Sequence, residues 1–283
     1  METWKRSFRD WVIPGAIPPG SITGEPPLRE GETLDALCGH FRIFQLAKGH
    51  RFSTDDVLAA WYGTSWAPTT SNILDLGCGL GTVGIMAAWR LTGAQVVGVE
   101  AQEQSFHLAQ RSVRWNGLDE RIQLRLGDFR DPGVIGAEEK FDLIFGTPPY
   151  FPLGTGVEGD HEQKVACRFE VRGDITDYCK IAARYLKPGG WFTCVFPMSP
   201  PEQLQRVIEG AKAADLVIVR RRPVVLREPE RPLLSLFAML RKEDVPVSVQ
   251  SDTWVEPALV IRREDGNIHP EYARVKLSFG FPP

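Results

Sequence analysis

Two stretches of the chain carry side chains whose types and spacing could do chemistry. The first is Leu74-Asp75-Leu76-Gly77-Cys78-Gly79-Leu80-Gly81-Thr82, three glycines at alternate positions behind a carboxylate. Glycines in that array let a backbone turn sharply and come close to a ligand, because no Cβ intrudes. The second is Phe141-Asp142-Leu143-Ile144-Phe145-Gly146-Thr147-Pro148-Pro149-Tyr150-Phe151, an apolar run that meets a double proline. Pro-Pro cannot continue a sheet ladder, so the chain has to leave the sheet there. Two fixed backbone angles also let a carbonyl be aimed at a substrate without later reorganisation.

These segments need a scaffold, and the hydrophobic periodicity describes one. Short apolar runs at 72–76, 95–99, 122–126, 141–145, 191–196, 216–219 and 234–240 are expected strands. Helical patterns lie between them at 82–91, 102–115, 174–185 and 200–214, the third stopped by Lys187-Pro188-Gly189-Gly190. Strands alternating with helices imply crossover units and a mainly parallel sheet. The last two strands are separated by an Arg/Pro loop in place of a helix, so they are expected to pair antiparallel. The expected fold is therefore α/β and Rossmann-like: a mainly parallel seven-stranded sheet with an antiparallel last strand, flanked by helices. Ahead of it, 1–40 reads as an irregular, Pro-rich N-terminal arm with a short hairpin. An amphipathic stretch follows from Phe41 to Trp61, with Thr54 or Asp55 as helix cap. The main domain is set at 41–250, and 251–283 is a C-terminal extension packed on it, with a strand at 258–261, a turn at 264–267 and a short helix after His269-Pro270.

Composition excludes several classes. Hydrophobic content of 43% with 24% charged residues is that of an ordinary globular chain. A net charge of −3 argues against a surface that grips nucleic acid everywhere, while leaving room for a local basic patch. The five cysteines (Cys38, Cys78, Cys167, Cys179, Cys194) are odd in number and show no C-x-x-C spacing, so neither a disulfide framework nor a zinc site is expected. His50, His107, His161 and His269 are scattered without metal-ligand spacing, and no metal is expected. The N-terminus has no apolar signal core and no apolar run approaches membrane-spanning length; the expected location is cytoplasmic.

Carboxylates mark the ligand. Asp75 stands at the C-terminal end of the first strand, Glu100 ends the second where ribose hydroxyls are met, and Asp128 follows the third where an adenine amino group would lie. Gly79-Leu80-Gly81-Thr82-Val83-Gly84 also satisfies the dinucleotide pattern, so an NAD enzyme is the nearest competitor. A methyl donor such as S-adenosylmethionine (SAM), with a sulfonium and a carboxylate but no pyrophosphate, accounts for the missing phosphate-binding residues. On the acceptor side, Thr147, Pro148, Pro149 and Tyr150 are the expected catalytic residues, with Thr147 also touching the donor. Tyr150 or Phe151 offers a flat face to a base lifted from its stack. An aromatic exocyclic amine is a poor nucleophile until fixed oxygens accept its hydrogens, and positioning then carries much of the catalysis.

From Phe41 to the C-terminus the chain resembles the bacterial tRNA(valine) adenine-N6 methyltransferases, and more broadly the class I amino-methyltransferases with an Asn/Asp-Pro-Pro-Tyr motif. The resemblance runs through Gly49-His50-Arg51-Phe52-Ser53-Thr54-Asp55, the glycine loop, Thr147-Pro148-Pro149-Tyr150-Phe151, Ala166-Cys167-Arg168-Phe169-Glu170, and Leu259-Val260-Ile261-Arg262 with Gly266-Asn267 and Glu271-Tyr272. It implies a SAM-dependent methyl transfer to adenine N6 in tRNA or another RNA. It further implies that Phe52, Ser53 and Thr54 line the cofactor pocket with Gly77, Gly79 and Gly81, that Asp55 fixes that segment, and that Arg168 and Glu170 order the loop over the acceptor. The departure is Thr147, where the pattern has Asn or Asp. A hydroxyl is shorter than a carboxamide and sits on a β-branched stem. Either the acceptor lies closer, or a water bridges, or the substrate is a small-molecule or protein amine.

Other signals are less specific. Arg220-Arg221-Arg222 with Arg227 and Arg231 is either an RNA-phosphate contact from a loop beside the site or a solvated loop with local ion pairs. Trp61 and Trp66 are expected near the cofactor side, the other tryptophans in packing roles. The run Gly154-Thr155-Gly156-Val157-Glu158-Gly159 reads equally as a lid or as an ordinary flexible loop.

Overall fold

The computed structural model describes residues 7–8, 11–23, 26–152, 163 and 169–282. Arg168, Cys167, His161 and the glycine-rich 154–159 segment lie outside the described residues.

A nine-stranded sheet forms the centre. Five of its strands are parallel neighbours: β7 (Ile122–Leu126), β6 (Gln95–Glu100), β5 (Asn72–Leu76), β8 (Phe141–Gly146) and β9 (Leu186–Pro197), in that order across the sheet. Next comes β11 (Leu234–Arg241), antiparallel to β9, and then β10 (Leu216–Arg227), antiparallel to β11. The expected seven-stranded arrangement with an antiparallel last strand is present. The C-terminal extension adds two short strands, β12 (Trp254–Val255) and β13 (Leu259–Arg262), both pairing in parallel along the outer edge of β10. That pairing satisfies backbone groups that an open edge would leave to another chain.

The helices are α1 (Thr54–Trp66), α2 (Thr82–Arg90), α3 (Glu103–Trp115), α4 (Ile175–Tyr185), α5 (Pro201–Ala213) and α6 (Pro270–Leu277). Successive strand residues face opposite ways: Ile73, Leu143 and Phe145 join the core with α1, α2, α3 and α6, while Leu74, Leu76 and Ile144 join the core with α4 and α5. Central strands buried on both faces read as continuous apolar runs, which is why the sequence located them. At Gly63 of α1 an added Cβ would lie 2.4 Å from the Phe145 ring and 2.6 Å from Thr193 Oγ1, so α1 rests directly on the sheet.

Four expectations are corrected. The amphipathic stretch from Phe41 is split: Phe41–Leu46 is a strand, β4, paired antiparallel with β3 (Glu32–Cys38), and only from Thr54 does a helix begin. The boundary drawn at residue 40 thus falls in the turn of a hairpin, which packs on α3 through the Phe44 N–H donating to Ser112 Oγ at 3.0 Å. A further small ladder joins β1 (Ser7–Phe8) to β2 (Trp11–Val12). The α1 cap is Ser53, in a capping box with Asp56, in place of Thr54 or Asp55. Lys187-Pro188-Gly189-Gly190 does not separate helix from strand but lies inside β9, whose register slips against β8 there.

The last correction concerns the arginines. Arg220, Arg221 and Arg222 lie within strand β10, which runs on to Arg227, and not in a loop. Arg220 is held between two indoles, its Cζ 3.5 Å from the Trp66 ring centre and 4.0 Å from that of Trp254. Arg222 pairs with Glu271 of α6 and lies over Trp61. Trp61 and Trp66 therefore clamp the C-terminal extension to α1 instead of bordering the cofactor. A desolvated cation on an aromatic face is worth about 1–2 kcal/mol. Arg220→Ala is expected to lower unfolding stability by about that much, measured by urea denaturation at constant m-value.

Candidate active site

Gly77, Gly79 and Gly81 have φ of +62°, +56° and +78°, the left-handed region that glycine tolerates. The loop they form turns from the end of β5 into α2 at the point where the chain order reverses: β6 follows on one side of β5, and β8 lies on the other. Ligands of open α/β sheets bind at such switch points. A cavity opens here, walled by Gly77, Cys78 and Gly79, by Glu100 to Gln102 at the end of β6, by Gly127 to Phe129 after β7, and by His50, Phe52, Asp56, Thr147, Pro149, Arg172 and Tyr178.

A second, more open cavity adjoins it, walled by Gly49 to Arg51, Ser53, Asp55, Asp56, Thr147, Pro148, Tyr150 and Phe151. Three residues, His50, Asp56 and Thr147, line both. The double proline is divided between them, Pro149 in the first and Pro148 in the second.

The expected cofactor residues separate into walls and supports. Phe52, Gly77, Gly79, Glu100, Asp128 and Thr147 line the first cavity. Ser53 lines only the second, while Thr54, Asp75 and Gly81 line neither. Asp75 is buried behind the loop, where its Oδ2 accepts from the Gly84 N–H at 3.0 Å and ties β5 to the first turn of α2. Glu100 is 6% exposed and accepts from the Gly79 N–H at 2.8 Å and the Gln102 N–H at 2.6 Å. Its carboxylate braces the glycine loop and retains lone pairs toward the cavity. Asp128 accepts the Arg130 guanidinium at both oxygens, at 2.9 and 2.6 Å, and this pairing holds its carboxyl below the usual range.

On the acceptor side Tyr150 Oη donates to Asp55 Oδ2 at 2.7 Å, and its ring stands edge-on to Phe196 with centres 5.7 Å apart. Phe151 is 44% exposed and so presents the freer aromatic face. Glu170 pairs with Arg206, which donates to Gln203 Oε1 at 3.0 Å, and Gln203 Nε2 in turn donates to the Tyr150 carbonyl at 3.0 Å. A chain of polar contacts from α5 thereby fixes the residue after the double proline.

His50, Asp56, Arg172, Gln203 and Arg206 were not among the residues expected at the site. His50 and Asp56 sit within the Gly49–Asp55 segment or beside it, so proximity in sequence was the only signal. The segment is held at two points: from the N-terminal hairpin Gln45, fully buried, accepts from the Phe52 N–H at 2.8 Å, and from elsewhere in the chain Gln163 Oε1 accepts from the His50 N–H at 2.8 Å. Among the described residues no cluster of His, Cys, Asp and Glu could hold a metal ion, and no helix is long and apolar enough to cross a membrane.

The cavity fits the sulfonium nucleoside expected from sequence. An added Cβ at Gly79 would meet nothing within 4 Å, which leaves open space above the loop. Its polar groups include the carboxylates of Asp56, Glu100 and Asp128, suited to ribose hydroxyls, an amino group and positive charge, beside the Arg172 guanidinium, suited to a carboxylate.

Comparison with known proteins agrees. Residues 69–218 match the family described as a methyltransferase domain. The chain is 26% identical, over 84% of its length and 92% of the relative's, to a protein of Porphyromonas gingivalis named tRNA1(Val) (adenine(37)-N6)-methyltransferase. It is 33% identical over 44% of its length, and 45% of the relative's, to a release factor glutamine methyltransferase of Geobacter sulfurreducens. In fold it is similar to a predicted O-methyltransferase of Agrobacterium tumefaciens, with a TM-score of 0.59 at 16% identity over 81% of this chain and 98% of the other.

The buried carboxylates set a pH dependence. Burial raises Asp75 to about 8 and Asp56 to about 7 from a model-compound value of 3.8, and burial also raises Asp55 and Glu100. Between about pH 4 and pH 8 the folded chain holds protons that the unfolded chain has released, so stability falls as pH rises and levels off above that window. Each such group contributes a slope of at most about 1.4 kcal/mol per pH unit. Asp75→Asn is expected to flatten the decline between pH 5 and 8 in urea midpoints, with wild type the steeper.

Proposed function

Because the chain belongs to the methyltransferase-domain family, we propose that it transfers a methyl group from SAM to an exocyclic amine, adenine N6 of a tRNA. The observation that carries this reading is the pair of cavities meeting at Thr147, one behind the glycine loop and one behind the double proline. When bound, SAM supplies a methyl carbon activated by a positively charged sulfur.

The chain's own residues then bind, orient and exclude water. Glu100 and Asp128 would hold the donor's ribose and adenine, and the positive-φ glycines let its tail lie against the backbone. Asp75 acts from behind by keeping the loop on α2. Thr147, Pro148, Pro149 and Tyr150 form the stiff corner facing the amine, with Phe52 and Ser53 on the opposite wall and Thr54 supporting them. Phe151 offers the stacking face for a base taken out of its helix. Glu170, and Arg168 from the segment before it, would order the chain over that face. We take 41–250 as the catalytic unit, 1–40 as an arm whose strand β3 braces the His50–Phe52 wall through the Asp35–Arg51 ion pair, and 251–283 as an extension docked on β10. A tRNA substrate also fits a cytoplasmic enzyme.

A protein amide or small-molecule amine is the second reading, favoured by Thr147 and by the partial likeness to the Geobacter sulfurreducens protein, whose printed name is release factor glutamine methyltransferase. Purified chain with methyl-labelled SAM and tRNA from cells lacking the gene decides between them. The expected result is label in N6-methyladenosine by nucleoside mass spectrometry. Label in no RNA but in a protein or small amine would replace the first reading with the second. Glu100→Ala is expected to weaken affinity for S-adenosylhomocysteine by about 10²-fold in calorimetry, as loss of buried charge-assisted contacts at about 1.5–3 kcal/mol implies.

A further inference from the structure

We propose that Asp56 is the proton acceptor for the substrate amine, acting with Thr147 in place of the longer Asn or Asp side chain expected before Pro-Pro. This rests on the reading of the chain as an amino-methyltransferase, and it holds for any amine acceptor.

The argument begins with what Thr147 lacks. Its hydroxyl can orient one hydrogen of an amine but is no base, and its short stem leaves the rest of the amine unattended. Some other oxygen at the junction of the cavities has to do the second job. The carboxylates nearby each hold other groups, and they differ in which cavity they reach. Asp55 Oδ2 accepts from Tyr150, and Asp75 is turned to Gly84 behind the loop. Glu100 lines the first cavity alone and braces Gly79 and Gln102, while Asp128 is paired with Arg130. Among the described residues Asp56 is the one carboxylate lining both cavities, and it shares that boundary with Thr147 itself.

Its placement is rigid. Asp56 is the third residue of α1, and its Oδ2 accepts from the Ser53 N–H at 2.7 Å in the capping box. Helix start and active-site wall are thus one structure. The groups facing it are Asp55 on the same helix, Asp75 at the end of β5, Tyr150 beyond the double proline and His50 on the adjoining loop. Burial together with the Asp55 charge moves Asp56 to about 7, so it is a stronger base than an exposed aspartate and still ionised at pH 8.

The step balances without another reagent. The amine nitrogen's lone pair forms a bond to the methyl carbon, the carbon–sulfur bond breaks with its electrons staying on sulfur, and a proton on nitrogen passes to the Asp56 carboxylate and then to water. The products are a neutral N-methyl amine and a neutral thioether.

Asp56→Asn tests this, because the carboxamide keeps an oxygen for the Ser53 N–H and a melting temperature no lower than that of wild type confirms the helix start. The expected result is a kcat about 10²-fold lower, with affinity for S-adenosylhomocysteine by calorimetry within about threefold of wild type. Wild-type kcat/KM should rise with pH through about 7, and that rise should vanish in Asp56→Asn. Adding Thr147→Asn to Asp56→Asn should recover about tenfold, since the carboxamide restores an acceptor beside Pro148. Equal turnover in wild type and Asp56→Asn overturns the proposal. So does a loss confined to S-adenosylhomocysteine affinity, which would make Asp56 a donor ligand. Failure of the RNA reading is separately visible as absence of tRNA methylation by wild type, and the Asp56 comparison is then made on the amine that is methylated.

Discussion

Strand β5 pairs in parallel with β6 on one side and β8 on the other, and the chain leaves the three strands by different routes. At their C-terminal ends the ladders stop, so the Gly77–Gly81 loop, Glu100 and the double proline are left facing a shared gap. Some polar groups in that gap still reach the sheet, as the Cys78 N–H does at the Val99 carbonyl, and others are met by side chains. Glu100 supplies one for Gly79 and Gln102, and Asp75 supplies one for Gly84. The cleft is therefore a consequence of topology, and its chemistry follows from how the exposed strand ends are satisfied.

Meeting those demands with carboxylates concentrates negative charge. Burial raises Asp55, Asp56, Asp75 and Glu100 above the ordinary carboxylate range, and like charge adds to it at Asp56, from Asp55, and at Asp75, from Asp56 and Glu100. Such a cluster is costly in the empty protein and less so beside a cation. A sulfonium donor with an ammonium tail brings that positive charge to the same place. Asp128 differs because it is already neutralised by Arg130, which leaves it a hydrogen-bond acceptor of fixed direction.

The acceptor wall depends on elements far from it in sequence. α1 begins at the wall with Ser53 and ends at Trp66, whose ring stacks on Arg220 and so on the C-terminal extension. Tyr62 of the same helix donates to Glu256 at 2.7 Å, and Arg222 pairs with Glu271. From the other side Gln45 of β4 holds Phe52. The two ends of the chain thus fix the angle at which α1 presents Asp55 and Asp56. Of the arginine run, read from sequence as either an RNA-phosphate contact or a solvated loop with ion pairs, Arg220 and Arg222 serve this purpose, held by indoles and a carboxylate.

The sequence by itself determined the strand order's raw material, the glycine loop, the corner at Pro148-Pro149 and the identity of Glu100 and Asp128 as cavity walls. These features are local: backbone freedom at glycine, a missing N–H at proline, and apolar runs of fixed period. It also determined that position 147 carries a hydroxyl in place of a carboxamide. Only the tertiary structure decided that β4 is a strand, because Phe41–Leu46 finds its partner in Glu32–Cys38 across a turn. It alone turned Arg220–Arg227 into a ladder strand, since extended β11 and the C-terminal strands pair with it on both sides. It also placed Asp75 behind the loop, and it put Asp56 and His50 between two cavities. Pairing and burial join residues distant in the chain, and no local pattern of side chains encodes which distant groups will share one boundary.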